Sequence, residues 1–215
     1  MLCRLSLDYL DRIICGDCTG VLTELPAACI DLVVTDPPYL VGYRDRAGRR
    51  VLGDDDAGLI GRAFAEVGRV LKPGRFAVSF YGWKHSEVFL RAWRRAGLRP
   101  VGHFVWVKNY ASSVGVTQRC HELAYLLAKG SPAPPRFALR DVLRWRFTGN
   151  CLHPTQKPVM ALRPLIGAYS SPGEVVLDPF AGSGTTALAA AELGRHYLAI
   201  ERSAACVRVA RSRLR

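Results

Sequence analysis

The sequence holds no apolar run of ~18 residues, the length a helix needs to cross a bilayer, so no membrane partner is expected. It shows no internal repeat and no low-complexity tract, which excludes solenoid and fibrous architectures. The first residues, with Arg4, Asp8, Asp11 and Arg12, lack the apolar stretch of a secretory leader. The seven cysteines (3, 15, 18, 29, 120, 151 and 206) are an odd number, poorly suited to a set of disulfides. Reduced thiols and a cytoplasmic location are therefore expected. A zinc site is also poorly provided for. Cys15-Gly16-Asp17-Cys18 has no companion pair at ribbon spacing, Cys120-His121 and Cys151 with His153 stand alone, and no metal is expected.

Acidic residues are few: 18 Asp and Glu against 30 Lys and Arg, a net charge of +12. Their distribution says more than their sum. Between Lys84 and Arg146 twelve Lys and Arg face three acids, Glu87, Glu122 and Asp141. Positive charge concentrated in this way is the footprint of a phosphate-backbone partner. At 215 residues the chain suits one sizeable domain with a core of its own.

The stretch around which the chain is organised is Asp36-Pro37-Pro38-Tyr39. It follows Ile30 to Thr35, an apolar run with three β-branched aliphatics that reads as a buried parallel strand. The two prolines end the strand, since neither has an N–H for the ladder, and the first keeps Asp36 out of the helical region. A stiff turn results. It carries a carboxylate, the Pro37 carbonyl and an aromatic ring: two acceptors for an exocyclic amine and a face on which to stack its ring.

A second constellation lies near the C-terminus. Glu174 to Leu177 reads as another buried strand, followed by Asp178-Pro179-Phe180-Ala181-Gly182-Ser183-Gly184-Thr185 and a helix from Thr186 to Leu193. Strand, Gly-x-Gly loop and helix is the arrangement in which backbone approaches a cofactor and a helix N-terminus faces it. Glu201 ends the next strand-like run, His196 to Ile200, at roughly the ~20-residue offset of a ribose-binding acid.

Together these motifs resemble the amino-methylating DNA methyltransferases that use S-adenosylmethionine (SAM), in the motif order of the class called β. The resemblance covers nearly the whole chain. His153-Pro154-Thr155-Gln156-Lys157-Pro158 is similar to that class's cofactor-binding segment, and Ile13 to Cys18 is similar to the strand and acid beside the SAM adenine. The resemblance implies a Rossmann-like, seven-stranded mixed sheet with circularly permuted motifs. Asp36, Pro37, Pro38 and Tyr39 would form the catalytic turn. The implied cofactor set is Asp17, Cys18, Asp36, His153, Thr155, Gln156, Lys157, Asp178, Pro179, Phe180, Ala181, Gly182, Ser183, Gly184, Thr185, Glu201 and Arg202. Within it, Thr155 and Lys157 would meet the SAM carboxylate, Glu201 the ribose and Asp17 the adenine end.

The rest of the chain fits a doubly wound α/β sheet of six or seven strands. Arg12 to Gly16 reads as a strand. Leu40 to Asp56, glycine-rich and charged, reads as a mobile loop. Residues 57–72 read as a helix ended by Pro73-Gly74, Phe76 to Phe80 as a strand and residues 85–96 as a helix. His103 to Lys108 and Glu122 to Ala128 read as strands, with a His at a strand start beside a solvent-facing Glu at 121–122. Ser131 to Asn150 reads as a basic, aromatic surface segment, Pro158 to Tyr169 as a helix, and Ala204 to Arg215 as the last helix. Asp17, Asp36, Asp178 and Glu201 then all fall at one rim, the C-terminal edge of the sheet, where ligands bind in such folds.

Transfer to an exocyclic amine needs its hydrogens accepted, by Asp36 and the Pro37 carbonyl, so that the nitrogen lone pair turns toward the methyl group. No covalent intermediate is needed, and the chain lacks the Pro-Cys dipeptide of the C5-cytosine enzymes. A base in double-stranded DNA must be flipped out at a cost of a few kcal/mol, which stacking on Tyr39 offsets in part. Adenine N6 is the first reading, because Asp heads the motif. Cytosine N4, where Ser is more usual, is the second. A non-catalytic DNA-binding relic and a protein-amide or RNA methylase are further alternatives. The first is disfavoured by the intact motifs, the second by Asp36 and the basic stretch. Recognition would fall to Arg136, Arg140, Arg144 and Arg146 in the short segment 129–152, and to Arg44, Arg46, Arg49 and Arg50 in the loop. So few readers imply a short site, and a homodimer would supply a second set for a longer palindrome. If the 84–146 cations bind phosphates, duplex affinity measured against salt should fall with a slope of about −0.9 per phosphate neutralised; a flat response would assign the charge elsewhere.

Overall fold

The computed structural model describes residues 5–44, 48, 51–111, 115–145 and 157–215. Its strands are β1 (Arg12–Cys15), β2 (Ile30–Thr35), β3 (Leu71–Phe80), β4 (Leu98–Val107), β5 (His121–Lys129), β6 (Val142–Arg144), β7 (Val175–Asp178) and β8 (His196–Glu201). The helices are α1 (Cys18–Thr23), α2 (Ala57–Val70), α3 (Ser86–Arg95), α4 (Val159–Tyr169), α5 (Thr185–Glu192) and α6 (Ala204–Ser212). All the strands join one sheet in the order β1-β8-β7-β2-β3-β5-β4-β6. The run from β1 to β3 is parallel, β5 is antiparallel to both β3 and β4, and β6 is parallel to β4.

This is the expected doubly wound α/β sheet, with eight strands among the described residues instead of seven. The added strand is β6, which pairs Val105 with Val142 and Val107 with Arg144. It lies inside the stretch expected to be surface coil. Three residues are too few for an alternating pattern to register in the sequence, and the strand exists because the β4 edge offers it a ladder. A second correction concerns Leu71 and Lys72, expected in the helix. The chain passes straight from α2 into β3, with Leu71 already extended and paired with Ile30. Pro73-Gly74 therefore sits inside β3, next to the register shift between Ile30 and Leu32.

Alternation along the strands sends side chains to two cores. Val33, Ala77, Leu127 and Leu177 share one with the apolar stripes of α1, α2 and α3, centred on fully buried Phe64 and Trp93. Leu32, Val34, Val78, Leu126 and Val176 share the other with α4 and α5, while α6 covers Ile13 and Ala199 beside it. Asp31 is the misfit in the otherwise apolar β2. It is buried, and it is satisfied by Lys72 at 2.6 Å, Arg75 at 3.2 Å and the Val175 N–H at 3.0 Å. It stitches β2 to both neighbours at the end away from Asp36.

Where α2 meets the end of α3, Gly68 lets the helices touch. A Cβ built there would lie 2.2 Å from the Ala96 carbonyl oxygen, a backbone atom that cannot swing aside. Gly68→Ala should lower stability by about 1–3 kcal/mol in urea unfolding despite alanine's better helix propensity. An unchanged midpoint would show that the helices slide apart at no cost.

Candidate active site

The chain leaves β2 toward β3 on one side and β7 toward β8 on the other, so the adjacent strands β2 and β7 flank the topological switch point. Their motifs, distant in sequence, are bonded directly. Thr35 Oγ1 donates to Asp178 Oδ1 at 2.9 Å, and Asp178 also accepts from the Phe180 N–H at 3.1 Å and Thr186 Oγ1 at 2.6 Å. Asp178 is thus spent inside the protein. Expected beside the cofactor, it shapes the loop that carries Phe180 to Gly184. Burial pushes its carboxyl up to about 6, against these hydrogen bonds.

Beyond Thr35 the double-proline turn projects Asp36 and Tyr39 into a small charged cluster. Tyr39 Oη donates to Asp36 Oδ1 at 2.8 Å, and Lys157 Nζ sits 2.7 Å from Asp36 Oδ2 and 3.2 Å from Tyr39 Oη. Glu122 Oε2 lies 3.4 Å from Tyr39 Oη and 3.7 Å from Lys157 Nζ, and its other oxygen is held by Lys108. The two lysines are almost fully buried, and rings enclose them. Lys157 lies 5.2 Å from the Tyr39 ring centre, 5.1 Å from Phe80 and 5.9 Å from Trp145; Lys108 lies 5.5 Å from Trp145 and 5.7 Å from Tyr110. Burial pushes Asp36 up, more than Lys157 and Tyr39 hold it down. Burial pushes Glu122 up too, but Lys157 and Lys108 outweigh it and leave Glu122 below the usual carboxylate range. For Lys157, desolvation is outweighed by Asp36 and Glu122, so its ammonium is favoured.

Three of these residues were not legible as site residues. Glu122, expected to face solvent, is turned inward. β5 runs antiparallel to β3, so its start lies at the rim where β3 ends. Lys108 carries no motif, and Trp145 belongs to the segment expected on the surface but is 7% exposed. Gly82, just past β3, packs so closely on the turn that a Cβ would lie 2.8 Å from Tyr39 Cβ and 2.9 Å from its carbonyl oxygen. Next to it Trp83 is 56% exposed, with the Arg119 guanidinium 5.6 Å above its ring.

The two acids expected at the cofactor stand at the ends of the neighbouring strands β8 and β1. Glu201 at the end of β8 accepts from the Gly182 N–H at 2.9 Å and the Ser203 N–H at 2.7 Å. Asp17, beyond β1, caps α1 through the Thr19 N–H at 2.9 Å, and the Thr19 hydroxyl bonds hold its carboxyl low, with a contribution from Arg202. Both rim acids keep lone pairs for further donors. Cys18 does not join them. Its side chain belongs to the α1 core, and burial pushes its thiol up to about 12. Ser183 and Thr185 are buried and held by Arg213 Nη1, 3.1 Å from each hydroxyl, so the back of the loop is fixed by α6. Pro179 and Ala181 are buried, whereas Phe180 and Gly182 remain partly exposed.

The loop after the turn is cinched at its base. Asp54, buried, accepts from the N–H groups of Leu40 at 2.7 Å and Tyr43 at 2.6 Å. Arg44, Arg136, Arg140 and Arg144 are exposed. Arg46, Arg49, Arg50, Arg146, His153, Thr155 and Gln156 lie outside the described residues. Among the described residues no His, Cys, Asp and Glu group could hold a metal, and no helix is long and apolar enough to cross a membrane.

A profile of DNA methylases matches residues 30–212, most of the chain and both motif strands. The chain belongs to this DNA methylase family. It is 48% identical over 192 residues to YubD of Escherichia coli (strain K12), a protein named as a methylase, with 89% of this chain and 85% of that one covered. In fold it is similar to M1.HpyAVI in its SAM complex (TM-score 0.75, 23% identity, 94% of this chain and 98% of that one). It is also similar to the cytosine-N4-specific PvuII DNA methyltransferase (TM-score 0.76, 17% identity, 94% and 86%).

Asp178 also has a signature in stability. Unfolded, its carboxyl titrates near 3.8, and folded near 6. Between those values the folded state keeps a proton the unfolded chain has lost. The stability this group contributes is present below the lower value and is lost as pH rises through the upper one. Asn at this position keeps one oxygen for Thr35 and Phe180 and offers an amide to the Thr186 hydroxyl. Asp178→Asn should therefore gain on wild type by roughly 1–3 kcal/mol between pH 4 and pH 7. Urea unfolding at both pH values measures it, and a constant difference would place the charge elsewhere.

Proposed function

We propose that this family member transfers a methyl group from SAM to the exocyclic N6 of adenine in duplex DNA. One observation carries the reading: the Thr35–Asp178 bond holds the acceptor turn and the Gly-x-Gly loop side by side at the switch point of the sheet. The crevice residues fit the cofactor. Gly182 and Gly184 adopt positive φ, at 51° and 77°, bending the loop so that its backbone lines the crevice. At Gly184 a Cβ would lie 2.7 Å from Ala210 Cβ, so no other residue permits both that bend and the approach of α6. Glu201 would take ribose hydroxyls and Asp17 the adenine end, both as carboxylate acceptors.

When bound, SAM supplies an electrophilic methyl group. The chain supplies orientation. The Asp36 carboxylate and Pro37 carbonyl accept the hydrogens of the target amine, aim its lone pair and stabilise the positive charge that grows on nitrogen. Tyr39 offers the stacking face for a flipped base. Pro37, Pro38 and Phe80 beside the turn are buried, while Asp36 keeps an open side toward the crevice. The exposed arginines 44, 136, 140 and 144 supply cations for DNA phosphates or base edges. Asp36 heading the motif supports adenine. Cytosine N4 is the second reading, favoured by the fold shared with the PvuII enzyme.

Asp36→Ala should abolish labelled-methyl incorporation into DNA while calorimetric SAM affinity stays within about threefold, since Asp36 faces the amine and not the cofactor loop. Long-read modification sequencing of a methylation-free host expressing the chain then reads the base and its sequence context. An active D36A enzyme would remove the acceptor role, and N4-methylcytosine in the reads would replace adenine by the second reading.

A further inference from the structure

The Asp36 carboxylate is not free in this structure. One oxygen accepts from Tyr39 and the other carries the Lys157 ammonium at 2.7 Å. If Asp36 receives the target amine, that ammonium is badly placed, because the amine nitrogen becomes cationic as the methyl group arrives and like charges in a desolvated pocket repel strongly. Lys157 cannot retire to solvent. It is 8% exposed and enclosed by Tyr39, Phe80 and Trp145, and an unpaired buried ammonium is costly. A second anion stands within reach. Glu122 Oε2 is 3.7 Å from Lys157 Nζ, so a shift of about 1 Å turns this near contact into an ion pair of ordinary length.

We propose that Glu122 is a second seat for the Lys157 ammonium: as the target amine comes onto Asp36, Lys157 passes from Asp36 to Glu122 and leaves the catalytic carboxylate to the substrate. The inference rests on the methyl-transfer reading above. Glu122 is built for the purpose. Lys108 fixes one of its oxygens, Trp145 and Tyr110 flank that lysine, and the oxygen left over is the one that faces Lys157. Tyr39 Oη stands between the two carboxylates, 2.8 Å from one and 3.4 Å from the other, so it stays in contact through the exchange. Before DNA arrives, Lys157 pairs with Asp36 and favours its charged form against the pull of burial. Afterwards the same cation neutralises Glu122. Glu122 acts through Lys157, as a positioning residue.

The test is a double-mutant cycle read by single-turnover transfer of labelled methyl from SAM into DNA of a methylation-free host. Glu122→Gln should slow transfer at least tenfold with SAM affinity within threefold of wild type, and Glu122→Asp should recover most of the rate. In a Lys157→Met background, measured at saturating SAM because Lys157 is also the residue expected at the SAM carboxylate, no ammonium needs a seat and Glu122→Gln should change the rate less than threefold. A second readout does not depend on turnover: the 15N side-chain signal of Lys157, assigned by its loss in K157M. Adding that DNA with S-adenosylhomocysteine should shift it in wild type and not in E122Q. A wild-type rate in E122Q, an equal loss in both backgrounds or a Lys157 signal unmoved by DNA would each overturn the seat. Absence of methyl transfer by the wild type would instead overturn the underlying reading, and the Lys157 signal would still decide the exchange.

Discussion

The pairing of β2 with β7, locked at its upper end by Asp178, is the constraint on which the rest of the site depends. A buried carboxylate with three donors is a rigid knot, because losing any one of them leaves a polar group unpaired in the core. Thr35 brings in the acceptor turn, the Phe180 N–H fixes the first bend of the loop, and Thr186 fixes the start of α5. The cost of keeping such a group dry shows in its raised carboxyl. Asp31 does the equivalent work at the opposite end of β2, with Lys72, Arg75 and the Val175 N–H. One acid at each end thus sets how β2 meets its neighbours, and Asp36 takes its place from both.

Four charges without ready access to water then define the acceptor pocket: Asp36 and Glu122 against Lys157 and Lys108. Such a set is a poor source of net stability, since desolvation opposes the Coulomb gain. Its value lies in balance. Removing either carboxylate strands a cation, and removing either lysine leaves a buried anion to neutralise by protonation. The aromatic walls of Tyr39, Phe80, Tyr110 and Trp145 soften the penalty for the ammoniums through their ring faces.

The parallel half of the sheet was legible because its strands are buried runs of β-branched residues ended by turn chemistry: Ile30 to Thr35 before two prolines, Val175 to Asp178 before a glycine loop. The rim positions of Asp17, Asp36, Asp178 and Glu201 follow from those strand ends alone. What could not be read was which way a polar side chain on an antiparallel strand faces. Glu122 sits beside His121 in a pattern that suits either face, and its partners Lys108 and Lys157 are 14 and 35 residues away along the chain. At Cys18 the family motif names a position, while the α1 stripe decides where its side chain goes, into the core. β6 was hidden by its length and by the prolines before it.

On the proposed reading, the same hidden strand connects recognition to chemistry. β6 extends the sheet beside β4, and the next residue, Trp145, donates its N–H to Val107 and turns its ring over Lys108 and Lys157. The exposed Arg140 lies just before this anchored stretch and the exposed Arg144 within it, so a displacement of the segment by DNA must be taken up against Trp145 or against the β4 ladder. A separate recognition domain could move without disturbing the acceptor pocket. Here the arginines closest to the sheet share one short piece of chain with Trp145, whose ring lies over the two buried lysines. On the proposed reading Asp36 tips the choice toward adenine while the acceptor turn meets the same amine chemistry in either base, and the rings of Tyr39, Phe80, Tyr110 and Trp145 are the walls around the cluster.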